Sequence, residues 1–365
     1  MDEREVVLAA FRGENAGRHA WYGDLSYWLS ALEQQGCLEN KYKGDEGQLR
    51  FYQDFEVGIG FYAPNTWKAT LPADVEYLET QSGNTRKKEY RTAKGNIFSI
   101  EKYLPASFTW AFTEHCIKTI EDLRIYTDIM ERTTYTENYE EYSKIDKLWG
   151  ESGIAVALAP EGSSPLQRLL ARIAGVDTTY YLYADHTDEI EQLMQRMQEA
   201  QRPIFEILAN SPSQIVEFPD NYSAEVTGRT FFELYNKPFY QSVNEILHKG
   251  GKYTSIHNDG TVRATLDLLP SCGFDCVEAV TPKPVGDIEV NEIRDIAGDE
   301  LVIWGGIPGA LFSSVYSDEM FEAQLKSLSE AFRNDNRFVF GVADQVPPDA
   351  KADRVKLVRQ YANGK

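Results

Sequence analysis

Cysteine is scarce in this chain of 365 residues: Cys37, Cys116, Cys272 and Cys276 are its four thiols. That is too few for a disulfide framework at this length, so reduced thiols and a cytoplasmic setting are expected. Long apolar runs are missing too. No stretch approaches the roughly 18 residues of a membrane-spanning helix, and the opening MDEREVVLAAFRGENAGR is charged throughout, unlike a signal peptide. Positive charge is in deficit, with 37 Lys and Arg against 57 Asp and Glu and a net charge of −20. Phosphate backbones and anionic membranes would be repelled over most of such a surface. Neither nucleic acid nor membrane is expected as a partner, which leaves a small-molecule substrate. No fixed-period repeat, low-complexity tract or Pro/Gly/Ser linker divides the chain. Residues 1–365 are therefore read as one domain with insertions.

Aromatic residues are plentiful, at 12% of the chain, far from the composition of disordered segments. Trp21, Tyr22, Tyr27 and Trp28 crowd HAWYGDLSYWL, and Phe61, Tyr62 and Trp67 crowd GIGFYAPNTWKATLP. Such density either plugs a barrel end or lines a pocket, and Trp21, Tyr22, Trp28 and Trp67 are candidate pocket walls, with Asp24 beside them. Further on, the alternation of VEYLETQSGNTRKKEYRTAKGNIFSIEKYL, broken at Ser-Gly-Asn and Lys-Gly-Asn, predicts an antiparallel hairpin insertion over residues 70–104.

From Gly153 the texture changes. GIAVALAP, SQIVEF, KYTSI, DCVEAV, LVIWGG and RFVFGV are short apolar runs separated by helical patterns, as expected for strands buried on both faces. Such alternation demands right-handed crossovers and a parallel sheet. No G-x-G-x-x-G or Walker-type loop follows an early strand, and polar residues follow nearly every strand. Both observations favour a (β/α)8 TIM barrel with an irregular, hairpin-containing N-terminal region, its active site at the carboxyl ends of the strands.

Those ends supply Glu161, Asp220, Asn221, Glu225, His257, Asp259, Glu278, Trp304 and Asp344. An Asp at a barrel mouth is often a helix N-cap, and Asp259 before GTVRATL suits that role. Glu278 is different, since in the apolar run CVEAV an ionised carboxylate without a partner would cost several kcal/mol or shift its pKa. With His257 on the preceding strand, it could share a proton or a divalent metal. A His–Glu pair that merely braces two strands is the plainer alternative. The glycines of WGGIPGALF offer a place where backbone could approach a ligand closely. The C-x3-C of Cys272 and Cys276 lies in an apolar stretch and reads as packing rather than ligation.

Taken in order, DNYSAEVTGRTFFELYNKPFY, LHKGGKYTSIHNDGTVRATLDLLPSCGFDCVEAVTPKPVGD, LVIWGGIPGALF and FVFGVADQVPPDA resemble the uroporphyrinogen decarboxylase superfamily, more particularly its uncharacterised and methyltransferase branches. The resemblance implies a (β/α)8 barrel and one of two chemistries: cofactor-free decarboxylation of tetrapyrrole acetates, or methyl transfer to or from a corrinoid protein, usually with zinc. The arginine-bearing R-Q-A-G-R-Y segment of the decarboxylases is replaced by HAWYGDLSYWL, and their late Gly-His-Gly by FGVADQ. The H-x-C pair and later Cys that hold zinc in coenzyme M methyltransferases become His257, Asp259 and a position near Asp344. The E-x14-E-x20-H zinc motif of O-demethylating relatives becomes Asn221, Asn236 and His257.

The expected function is methyl transfer from a small methylated compound to a corrinoid carried by a partner protein. His257, Glu278, Asp259 and Asn221 form the catalytic set, and Trp21, Tyr22, Asp24, Trp28, Trp67, Glu161, Tyr222, Trp304 and Asp344 line the substrate pocket. Zinc, if used, would be held by His257 and Glu278. The alternative is a decarboxylase or lyase acting on a carboxylic acid, with His257 as proton donor.

Overall fold

A computed structural model describes residues 1–61, 63–220 and 222–364. Seven parallel strands form one curled sheet: β1 (Ala20–Trp21), β2 (Ala157–Leu158), β3 (Ile215–Phe218), β4 (Tyr253–His257), β5 (Cys276–Val280), β6 (Val302–Pro308) and β7 (Phe338–Ala343). Their spatial order is β2-β3-β4-β5-β6-β7-β1. Every residue of β3, β5, β6 and β7 is buried, because both faces of the sheet are covered.

The two faces separate cleanly by residue parity. Val216, Phe218, Ile256, Val277, Ile303, Phe338 and Phe340 pack into the large cluster that includes residues of the surrounding helices, such as Phe205, Leu247, Leu325 and Val358. The alternate residues Ala20, Val156, Ile215, Cys276, Val302, Trp304 and Val339 pack with Val6, Val7, Leu8, Ala10 and Phe11. These last belong to the helix Glu3–Arg12, which plugs the inside of the curl. Asp2 caps it by accepting from the Glu5 amide at 2.9 Å, and Gly13 ends it in the left-handed conformation.

The sheet has seven strands rather than the eight of a complete (β/α)8 barrel. Between its two edges runs the segment 57–60. Gly58 N donates to Trp21 O at 2.8 Å, and Ile154 N and Val156 N donate to Ile59 O and Gly60 O at 3.0 Å. Gly58 and Gly60 lie against the Tyr22 ring, and a Cβ on Gly58 would come within 2.4 Å of it.

Outside this sheet, Glu76–Ser82, Thr85–Thr92, Gly95–Leu104 and Thr109–Glu114 form a four-stranded antiparallel sheet. Its Ile97 packs with Ile120, Leu123 and Met130 of helix Ile120–Arg132 and with Leu193 and Met197. The latter two lie on the long helix Val176–Asn210, which is non-helical at His186 (φ −139°, ψ 41°). That helix begins at Val176, just after Gly175. Among the described residues no helix is long and apolar enough to cross a membrane.

Candidate active site

β4 and β5 are paired so that His257 stands at the register of Glu278, and one layer deeper Ser255 stands beside Glu217 of β3 and Cys276 of β5. Parity within each strand therefore sends His257, Glu278 and Glu217 to the same, plugged face of the sheet. His257 Nδ1 lies 2.5 Å from Glu278 Oε2. On its other side, Nε2 is 4.0 Å from Asp259 Oδ1 and 3.9 Å from Asp344 Oδ1.

Backbone distortion marks the same level. In β5 the register against β6 shifts between Glu278 and Val280, and Ala279 has φ 64°. Asp344, just past β7, has φ 68°. Left-handed non-glycine residues and bulges concentrate where a fold re-aims side chains. Gly305 of β6 accommodates the bulge: its φ is 151°, and a Cβ there would lie 2.6 Å from Val280 N. A Cβ on Gly306 would lie 2.6 Å from the Leu328 side chain. The glycines of WGGIPG thus answer crowding inside the fold, which corrects their reading as a ligand-approach point.

The charges at this level are strongly perturbed. Burial works against a charge on His257, yet Glu278, Asp259 and Asp344 together outweigh it and push the imidazole up to about 10. Burial raises the Glu278 carboxyl, with His257 opposing. Glu217 is raised well above the ordinary carboxylate range by burial and by the neighbouring Glu278. The residue is 3% exposed, and among the described residues neither carboxylate oxygen has a hydrogen-bond partner of good geometry, although Ser255 stands beside it and opposes the rise. One donor atom from each of Glu217, His257 and Glu278 lies within 4.8 Å of the others. With an orphaned buried carboxylate among them, these residues fit a divalent cation such as the zinc that the resemblance implies, bound through oxygen and nitrogen rather than sulfur.

Above them opens a cavity of about 620 Å³ lined by Asp24, Phe61, Trp67, Glu161, Arg168, Arg172, Glu217, His257, Glu278 and Asp344, among others. Asp24 is held by the Ser26 amide and Gln345 Nε2, each at 2.8 Å, and burial raises its pKa. Trp67 Nε1 donates to Leu158 O at 3.1 Å. Glu161 pairs with Arg172.

The structure therefore brings together Asp24, Trp67, Glu161, His257, Asp259, Glu278 and Asp344. It takes the other aromatic candidates elsewhere. Trp21 lies in the outer core, stacked on Phe312, and Trp28 packs edge-on against Phe51 and Phe55. Tyr222 is buried against Phe232. Tyr22 and Trp304 belong to the plug: Tyr22 Oη donates to Glu3 O, and Trp304 Nε1 donates to Tyr22 O, both at 3.0 Å. None of these five lines the cavity. Asn221 and Tyr62 lie outside the described residues. Asn236 is buried away from the cavity and accepts from Ser164 Oγ at 2.9 Å. Cys272 and Cys276 are buried and free.

Among the cavity residues that escape the sequence reading are Glu217 and Arg168. Glu217 sits inside the apolar run IVEF, the same signal that singles out Glu278 in CVEAV. Arg168 lies in SPLQRLLARIAG, where an arginine on a helical pattern looks like solvent-facing charge.

Among curated proteins no sequence matches this chain. A methyltransferase from Methanosarcina mazei shares its fold over 100% of this chain and 98% of that one, with TM-score 0.63 and 13% identity. A D-psicose 3-epimerase, solved in the presence of D-fructose, is a weaker likeness, covering 62% of this chain and 82% of its own at TM-score 0.35 and 10% identity. The uroporphyrinogen decarboxylase (URO-D) family pattern matches residues 121–364, a span that includes β2 to β7 and carries Glu217, His257 and Glu278; the chain belongs to that family.

Proposed function

We propose that this chain is a methyltransferase that takes a methyl group from a small methylated compound and passes it to a corrinoid carried by a partner protein. The observation that carries this reading is an imidazole, His257, set between Glu278 and the mouth aspartates in the cavity lining, where those carboxylates favour its protonated form. The full-length likeness to a methyltransferase supports it. Breaking a C–O or C–N bond to a methyl group leaves an electron pair on the heteroatom, and His257 Nε2–H is the donor that can protonate it. Glu278 orients the ring through Nδ1 and balances its charge. Asp259 and Asp344, 4.0 and 3.9 Å from Nε2, favour the charge of the ring without hydrogen-bonding its second N–H, which is left for the substrate. Asn221 completes our proposed catalytic set, and Asp24, Trp67 and Glu161 bound the substrate. Zinc, if held by Glu217, His257 and Glu278, would take the place of an imidazole proton and supply a Lewis acid at the same floor instead of the imidazolium. We read residues 1–365 as one functional unit and, from its four unpaired thiols, as cytoplasmic.

A second reading, decarboxylation of a carboxylic acid, is favoured by the same imidazolium, because protonating the carbanion left by CO2 needs no co-reactant. Incubation with cob(I)alamin and a panel of methoxyaryl and methylamine donors separates the two. Formation of methylcobalamin, reduced at least about 100-fold in His257→Asn, supports methyl transfer. Release of CO2 from an acid substrate without any methylcobalamin would replace it with the second reading.

A further inference from the structure

We propose that Arg168 forms a receiving site for a carboxylate or similar small oxyanion on the substrate, an inference that rests on the cavity being the reaction site. Arg168 lines the cavity that His257 and Glu278 also line. Its Nε donates to Gly162 O at 3.1 Å, Nη1 to Tyr126 Oη at 3.4 Å and Nη2 to Gln201 Oε1 at 3.1 Å. A guanidinium has five N–H donors, so among the described residues one on each terminal nitrogen is left without an acceptor. That is the pairing a two-oxygen anion uses.

All three acceptors are neutral, and among the described residues no carboxylate lies within ion-pairing distance of Arg168. Asp220 is close enough to favour its charge, but the Asp220 oxygens are taken by the Ser163 amide at 2.5 Å, the Ser164 amide at 3.3 Å and Tyr240 Oη at 2.5 Å. Arg172, by contrast, already has Glu161. Asp220 thus favours the Arg168 guanidinium from a distance without pairing with it, and an anionic substrate group would give it a direct ion pair. The side chain is also held in place. Gly162 has φ 59°, and a Cβ there would come 2.6 Å from Arg168 Cα, so the loop closes on the arginine as no other residue would allow.

The test compares 3-methoxybenzoate with its neutral isostere 3-methoxybenzamide, by calorimetry and by quenching of tryptophan emission, since Trp67 is in the wall. Wild type is expected to bind the acid at least about tenfold more tightly than the amide. Arg168→Gln should abolish that preference, and Arg168→Lys should keep part of it. Equal affinities in wild type, a preference that survives in Arg168→Gln, or no saturable binding of the acid would overturn the proposal. Should Arg168→Gln lose its fold by circular dichroism, the wild-type comparison and Arg168→Lys still decide. Acid preference without methyl transfer to cob(I)alamin leaves the anion site standing and sinks the proposed reaction. Demethylation of amide and acid at equal rates does the reverse.

Discussion

His257 and Glu278 occupy the same register on neighbouring parallel strands, with imidazole Nδ1 2.5 Å from the carboxylate. A histidine that titrates near 6.5 elsewhere is here pushed up to about 10, because Glu278 and the two aspartates outweigh the effect of burial. A raised histidine pKa means that the pair's contribution to stability is complete below pH 6.5 and is lost as pH climbs through about 10. Imidazole nitrogen NMR should therefore find both nitrogens of His257 protonated at pH 8. A resonance that titrates near pH 6.5 would refute the assignment, and Glu278→Gln should move the midpoint downward.

Glu217 presents the opposite case. Its carboxyl is raised by burial and by Glu278, and among the described residues both oxygens lack hydrogen-bond partners of good geometry. The protonated form fits the fold, so the stability it allows is full below the ordinary carboxylate value of 4.5 and declines as pH rises through the folded value. Glu217→Gln, which cannot ionise, should match wild type near pH 4.5 and exceed it by about 1–2 kcal/mol at pH 8. Thermal melts at the two pH values measure this, and an offset that does not change with pH argues against a buried, partnerless carboxylate.

Gly305 tests the bulge. Its φ of 151° and the 2.6 Å approach of Val280 N leave no place for a Cβ, and a shift there moves Glu278, one residue before the bulge. Gly305→Ala should lose about 3 kcal/mol in denaturant titration and should disturb the His257 resonance as well. Wild-type stability in that variant would show that the bulge is not held by the glycine.

Much of this was legible in the residues. Apolar runs alternating with helical patterns announce the parallel sheet, and a carboxylate inside CVEAV announces Glu278. Glu217 carries the same signal in IVEF, but four residues offer little apolar context to make a charge conspicuous. The aromatic cluster misleads for a physical reason: density of rings reports an apolar surrounding, not which face of the sheet receives it. Trp21 and Tyr22 are adjacent in sequence and go to opposite faces, one to the outer core and one to the plug. The segment 57–60 leaves no strand signature, since two of its four residues are glycines that lie against Tyr22. Arg168 is invisible because nothing in its sequence neighbourhood says that no carboxylate pairs with it directly.

Proton and metal compete for the same floor. Glu217, His257 and Glu278 place donor atoms within 4.8 Å of one another, yet the imidazole that would join them holds its proton up to about pH 10. Ligation requires that proton to leave, and any proton on Glu217 as well, so zinc affinity should rise between pH 6 and 9 by about tenfold per pH unit for each proton released. Calorimetry in buffers of different ionisation enthalpy counts the protons directly. His257→Ala should lose the equivalent of zinc altogether, and Glu217→Gln should weaken it by at least about tenfold, because a neutral amide replaces an anionic ligand. Loss in Asp259→Asn and Asp344→Asn, with Glu217→Gln unaffected, would instead place the ion on the Nε2 side of the ring, nearer the cavity mouth. Affinity that does not change with pH would show that the imidazole is not a ligand, leaving His257 as a proton donor alone.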